Sequence, residues 1–591
     1  MRAIRGHYYL LLFLFLIILN IVIRIPCTPE LGTDSFFIHA LGDSISAHGH
    51  AQWVSHPLSY LGLYPFSYPS GVPFLISGIN QCAGIDMAST ILITSTFLGI
   101  LSIFTSYLMA KSILNDNIFK FLVAFSFSLS PIILKFTIFN ISTRGLFLVL
   151  LPLFVWSLFK QYDSDDIIIK LKFLALSIVL FLTLASTHRM FWAAVFLWVL
   201  FILIIISHNI KIWKIIPNFF PTLSLIFSLF IFILALIALL SPSILNVNTI
   251  ILIKIPVFFA LLMLAFVSIH MLIFERENES IRKFYSNNLA ILALTLFLIQ
   301  FTPLAPIRDL WYLCHDIGHL LPYTCDTAWS QMLNLFILLI GRLGIFFLLG
   351  IIGLIYIILK GNFDHKKAFL VFLLITFLPF FHRAPYYYQF SSFIFCVFAA
   401  FILLALFNRA LFNRLEHIDR FVFLRRINFG QIKISTAIIA LILSFSVAFS
   451  GYTLIHRYNN PGNYMTSATE NAGLFVKSYA SGININGIDV WRVRVVSGYY
   501  NFSVPKEVKI IPRKLSFSLA DLGGYLRCPI GYRYENISNE KKELLWFGYT
   551  IPYKYQKYGL TNKIYCNGEK NIWYIKEHEW RYLILSVNDN E

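Results

Sequence analysis

Residues 26–87 lie between the first two apolar runs, and their side chains could do chemistry. The segment carries Glu30, Asp34, Asp43 and Asp86 with His39, His48, His50 and His56, and no lysine or arginine. Carboxylates and imidazoles move protons and ligate metals. Asp34 follows Gly32-Thr33 and opens a predicted helix, SFFIHALGDSIS. It reads either as the N-cap of that helix, or as a carboxylate that serves a hydroxyl as general base or holds a divalent metal. His39 and Asp43 are further catalytic candidates, because a spacing of four puts them on one helix face. His48, His50 and His56 lack a zinc spacing and read as loop histidines.

A second set is cationic. Arg144, Arg189, Arg308 and Arg383 stand near the ends of apolar runs, and Arg342 lies inside one. His188 and His382 precede two of them, and Tyr387 is close to Arg383. Singly, each arginine reads as an interfacial anchor. Together they form the candidate substrate-binding set for an anionic group, since guanidinium recognises phosphate bidentately.

These groups are carried by membrane elements. Residues are 58% hydrophobic and 13% charged, and runs such as 8–25 and 219–240 are long enough to cross a bilayer. The net charge of +18 does not signal nucleic acid, because the basic residues flank apolar runs. About thirteen spans are predicted, near 8–25, 88–110, 118–134, 145–159, 168–186, 190–207, 219–240, 250–274, 289–303, 332–359, 368–381, 391–407 and 436–454. Arg2 and Arg5 put the N-terminus in the cytoplasm. Alternation then places 26–87 and everything beyond 456 outside. Cys27 with Cys82, Cys314 with Cys325, and Cys528 with Cys566 fall on that oxidising side, where disulfides are expected. Cys396 lies in a span.

From His456 the composition turns to Gly, Asn, Tyr and Lys. Residues 490–496 and 507–512 alternate like strands, and 467–480 like an amphipathic helix. The expected fold is therefore an all-α polytopic membrane domain, 1–455, followed by a small extracytoplasmic α+β domain, 456–591. Sequons occur at Asn140, Asn501 and Asn536.

The order of these features resembles the GT-C superfamily of integral-membrane glycosyltransferases, in its prokaryotic members. A first span enters from inside. A long outer loop with an early acid follows, then the block YPFSYPSGVPFLISGINQCAGI, many further spans and an outer C-terminal domain. The D-x-x-x-x-H and YP-x-G likeness covers about sixty residues. It implies a sugar donor linked to polyprenyl phosphate, a glycan, lipid or protein acceptor, and a site at the outer face of the plasma membrane. Asp34 would be the loop acid, with Arg383 and Arg189 on the phosphate. The C-terminal segment has no WWDYG motif, which argues against the catalytic subunit of an oligosaccharyltransferase. No second acid adjoins Asp34, so the cofactor stays open, with a divalent metal at Asp34 as one option. Two other readings compete. One is a transporter or flippase for an anionic lipid or glycan, with Lys254 and His270 as its intramembrane ionisable groups. The other is a non-catalytic envelope protein on the same scaffold.

Overall fold

The computed structural model describes residues 2–25, 30–51, 69–188, 247–274, 279–301, 328–360, 363–381, 385–407, 431–458 and 464–479, with shorter pieces elsewhere. These residues are predominantly helical. The first helices are α1 (Arg2–Arg24), α2 (Thr33–His48), α3 (Gly71–Ala83) and α4 (Met87–Ile113). After them come α5 (Asn117–Ser128), α6 (Pro131–Thr137), α7 (Thr143–Asp163) and α8 (Ile167–Thr187). Beyond lie α9 (Val247–Phe274), α10 (Glu279–Ile299), α11 (Ala328–Leu343), α12 (Ile345–Lys360) and α13 (His365–Phe377). The last are α14 (Pro385–Phe390), α15 (Ser392–Phe407), α16 (Gln431–Tyr458) and α17 (Ser467–Tyr479). A short antiparallel pair, Val54–Ser55 with Leu63–Tyr64, lies between α2 and α3.

Among the described residues, α4, α7 and α8 are each long and apolar enough to cross a membrane, and two bent pairs bring the number to as many as five. Helices that are apolar all round find no polar face to present to water, so they pack on each other and on lipid. Asp86, Asp116, Asp166 and Asp364 each cap the helix that follows, with a carboxylate oxygen accepting a backbone N–H. At one end of the bundle Lys366 Nζ reaches the Asp163 carboxylate at 2.7 Å and Ser112 O at 2.6 Å, tying α13 to α7 and α4.

Two predicted single spans are broken. The span at 118–134 is α5 and α6, bent by 56°. Pro131 opens α6, where its missing N–H is harmless, and Ser130 before it is extended. The span at 332–359 is two helices meeting at 107°. Gly344 makes that corner at φ 75°, a conformation open to glycine because it has no Cβ.

Beyond α16 the described residues include α17 and a four-stranded sheet of Asn484–Gly487, Glu543–Gly548, Asn571–Lys576 and Thr561–Cys566, in that order across the sheet. The first pair is parallel and the others antiparallel. The strand expected at 490–496 is not seen. Its described residues, Arg492, Val495 and Val496, are helical. Arg492 is 2% exposed, with its guanidinium 5.5 Å from the centroid of the Phe36 ring on α2, a tertiary contact that a period-two pattern does not encode. The strand expected at 507–512 lies outside the described residues.

Candidate functional site

The entry to α2 decides where its acids point. Gly32 is the N-cap, at φ 90°, with no side-chain cap. A Cβ there would sit 2.8 Å from Asn140 Nδ2, so both the backbone and the space demand glycine. Of the two readings open for Asp34, the N-cap is therefore the one the structure removes. It lies two residues inside, in the first turn, where the helix dipole favours an anion.

Opposite stands the corner between α6 and α7. Ser142 caps α7 by accepting from the backbone N–H of Arg144. Phe139, just before, holds a positive φ of 34°, rare for a side chain of its size. Its carbonyl accepts from Leu31 N at 2.9 Å, and Ile141 N donates to Ser35 Oγ at 3.0 Å. These two bonds fasten the corner to the residue before the N-cap of α2 and to the first turn of that helix. They bring Arg144 Nη2 to 3.2 Å from Asp34 Oδ2. The Asp34 side chain stays 41% exposed and that of Arg144 only 17%, so the pair opens on the carboxylate side. The Arg144 guanidinium lies 5.0 Å from the centroid of the Tyr386 ring and 5.5 Å from that of Phe136. Lys135 Nζ is 5.1 Å from the Phe136 ring on the same short helix.

His39 and Asp43 do share a face, but not with Asp34. His39 Nδ1 is 2.6 Å from Glu30 Oε2 and Nε2 is 3.2 Å from Asp43 Oδ2. With a carboxylate at each nitrogen the ring is an imidazolium donating twice. Burial alone would lower its pKa; Glu30 and Asp43 outweigh that and raise it from 6.5 to about 10. Ser35 Oγ donates to the other Glu30 oxygen at 2.5 Å and accepts from Ile141 N. The Glu30–His39–Asp43 group, with Glu30 and His39 buried and Asp43 half-buried, thus braces α2 from within the first loop.

The other expected binding residues divide. His188 is buried among the rings of Tyr386, Phe147 and Phe390, at centroid distances of 5.3, 5.6 and 6.3 Å. His188 and Arg144 thus both contact the Tyr386 ring. Tyr387 packs on Phe380 and Phe377 at 4.6 and 5.2 Å, so its neighbour Tyr386 is the tyrosine that meets Arg144. Arg342 ends α11 beside the Gly344 corner. Arg189, Arg308, His382 and Arg383 lie outside the described residues.

Asn140 is 2% exposed and its Nδ2 donates to Lys135 O, so that sequon is folded into the site corner. Cys82 is an exposed free thiol at the end of α3 and not the expected partner of Cys27, and Cys396 is a buried free thiol. Cys27, Cys314, Cys325 and Cys528 lie outside the described residues, and of Cys566 only the backbone, in its strand, is described. Among the described residues no three His, Cys, Asp or Glu side chains assemble as a metal site. Asp34 pairs with Arg144, and among the described residues no further carboxylate or imidazole joins it, so those residues do not assemble a metal site there. Glu30, Ser35, Phe136 and Tyr386 complete the arrangement without any spacing in the sequence that marks them.

No protein-family model matches the sequence, and no curated protein matches it. Among solved structures the chain is similar to the oligosaccharyltransferase of Archaeoglobus fulgidus tethered to an acceptor peptide, at 12% identity and a TM-score of 0.50, over 84% of this chain. The chain spans 64% of the length of that protein. It is also similar to ArnT from Cupriavidus metallidurans in the apo state, at 10% identity and a TM-score of 0.49, over 96% of this chain and 98% of that one. At such identities the likeness is one of fold alone, the fold of that oligosaccharyltransferase.

Proposed function

We propose that the chain moves a sugar from a polyprenyl-phosphate-linked donor to an acceptor hydroxyl, at the outer face of the plasma membrane. The observation that carries this reading is the Asp34–Arg144 pair, an exposed carboxylate held at 3.2 Å by a mostly buried guanidinium. Asp34 takes the proton of the acceptor hydroxyl as its oxygen bonds the anomeric carbon. The bond from that carbon to the phosphate oxygen breaks with its electron pair, and polyprenyl phosphate leaves. Arg144, with Lys135 on the neighbouring helix, supplies positive charge where the phosphate gains negative charge. Tyr386 walls the site and orients the guanidinium. Arg189, Arg308, Arg342, His382 and Arg383 are further phosphate contacts under this reading. No step calls for a metal. The N-terminus is cytoplasmic, and 456–591 forms a domain on the acceptor side. The loop likeness at D-x-x-x-x-H and YP-x-G supports the donor class.

One observation favours a second reading. Two apolar helix pairs are broken, at 56° and 107°, and broken helices line the substrate paths of transporters. Purified protein in proteoliposomes with a radiolabelled polyprenyl-phosphate sugar separates the two. Transfer of label to an added acceptor with release of polyprenyl phosphate is expected. Movement of intact lipid between leaflets, with its glycosyl bond uncut, would replace the transferase reading with a flippase.

A further inference from the structure

Arg24 is the last residue of α1 and is fully buried. Its Nε donates to Thr137 Oγ1 at 3.0 Å, and its Nη2 donates to Ser128 O at 3.1 Å. Its Nη1 donates to Asn20 Oδ1 at 2.7 Å and to Asn20 O at 3.1 Å. All four acceptors are neutral, and no carboxylate among the described residues pairs with it. Burying such a charge is costly, so the space would be filled more cheaply by methionine.

What a guanidinium adds is a rigid fork of donors. Here the fork spans the break, holding the last residue of α5 and the last residue of α6. Ser128 O belongs to the last turn of α5, whose carbonyls have no helical partner at the break. The neighbouring carbonyls are served separately: Phe127 O by Ser130, and Leu129 O by Ser450 Oγ. Thr137 is the final residue of α6. Room for the fork comes from Gly99 on α4, where a Cβ would lie 2.0 Å from Arg24 Nε. Next to Thr137, Phe136 faces Arg144, and its carbonyl is so close to α7 that a Cβ on Gly145 would be 2.6 Å from it.

We propose that Arg24 is a positioning residue that fixes α6 at the α5–α6 break and so sets Arg144 opposite Asp34. The inference rests on the reading of that pair as the reacting site, and Arg24 touches no substrate.

The test uses the full chain in nanodiscs with Arg24→Met, Arg24→Lys and Gly99→Ala. Gly99→Ala keeps the charge but displaces the fork, which covers the case in which Arg24→Met fails to fold. Hydrogen exchange is read at the amides of Leu31 and Ile141, which fasten the corner, and at α13 and α15 as internal controls. All three variants should speed exchange at 31 and 141 by about tenfold or more with α13 and α15 unchanged. Each should lower kcat for sugar transfer by about tenfold with donor KM within about twofold. Rescue by lysine would overturn the fork argument, because lysine restores the charge alone. Uniformly faster exchange, unchanged exchange at 31 and 141, or local loosening with full transfer would each overturn the positioning role. A wild-type protein that transfers no sugar sinks the proposed function, while the exchange readout still decides whether Arg24 holds the corner.

Discussion

Asp34 and His39 stand on one helix and answer to different partners. For Asp34, the substitution Asp34→Asn removes the charge and the proton acceptor while keeping the shape. Transfer is expected to fall by about 10²–10⁴. Stability should change by no more than about 1 kcal/mol, because the side chain is 41% exposed and its pair with Arg144 is screened on that side. Transfer assays with thermal unfolding alongside check both numbers, and full activity would remove Asp34 as the base. For His39, the pKa of about 10 is above its unfolded value, so the folded state binds the proton more tightly. That stability is fully present below about pH 6.5 and is lost as pH rises through about 10. The melting temperature of wild type should therefore fall over that window, and His39→Gln should flatten the fall. The variant leaves Glu30 and Asp43 facing each other without a cation, at a cost of about 3–5 kcal/mol. An unchanged alkaline limb in His39→Gln would show that the imidazolium is not the brace. The candidate acids were legible in the sequence because residue type and a spacing of four suffice for His39 and Asp43. Arg144 as the partner of Asp34 was not, since only the fold brings positions 34 and 144 together.

The elements around the site are organised by breaks and close approaches. Pro131 in the sequence gives a local reason for the first break. Gly344 gives no comparable signal inside an apolar run, so 332–359 reads as a single span although the chain turns there by 107°. Glycine also sets how near two helices come. A Cβ on Gly353 of α12 would be 2.0 Å from Phe398 O of α15, and one on Gly350 would be 2.7 Å from Phe395 O. Spaced by three, the two glycines form a smooth face that lets the backbones touch, as small residues do between membrane helices. Gly353→Ala should force these helices apart and cost about 1–3 kcal/mol. Gly451→Ala is the control, because nothing lies within 4 Å of its added Cβ. Unfolding in detergent compares them, and equal melting temperatures would mean that α12 and α15 are not held at backbone contact. The helix at Arg492 shows the converse failure of local pattern. Alternating apolar residues there predict a strand, whereas the described residues Arg492, Val495 and Val496 are helical and Arg492 is buried against Phe36 of α2, a long-range contact that local alternation does not carry.

At the scale of the whole molecule, composition alone gives the membrane class, since a chain 58% hydrophobic with long apolar runs has no water-soluble solution. Orientation rests on the positive-inside bias, and the proposed chemistry needs the first loop outside, where the acceptor is. Cys82 gives a direct test. It is exposed at the end of α3, within that loop, and its thiol is free. In a background with the other six cysteines changed to serine, a membrane-impermeant maleimide should label Cys82 in intact cells. In the wild-type chain, with Cys82 as the followed peptide, labelling should need no reductant, since a thiol tied to Cys27 would react only after reduction. Cys396, buried between helices, should stay unlabelled until the protein is denatured. Labelling of Cys82 only after the membrane is opened would put α2, Asp34 and the Asp34–Arg144 pair on the cytoplasmic side. The acceptor would then have to be cytoplasmic too, and transfer at the outer face would be excluded.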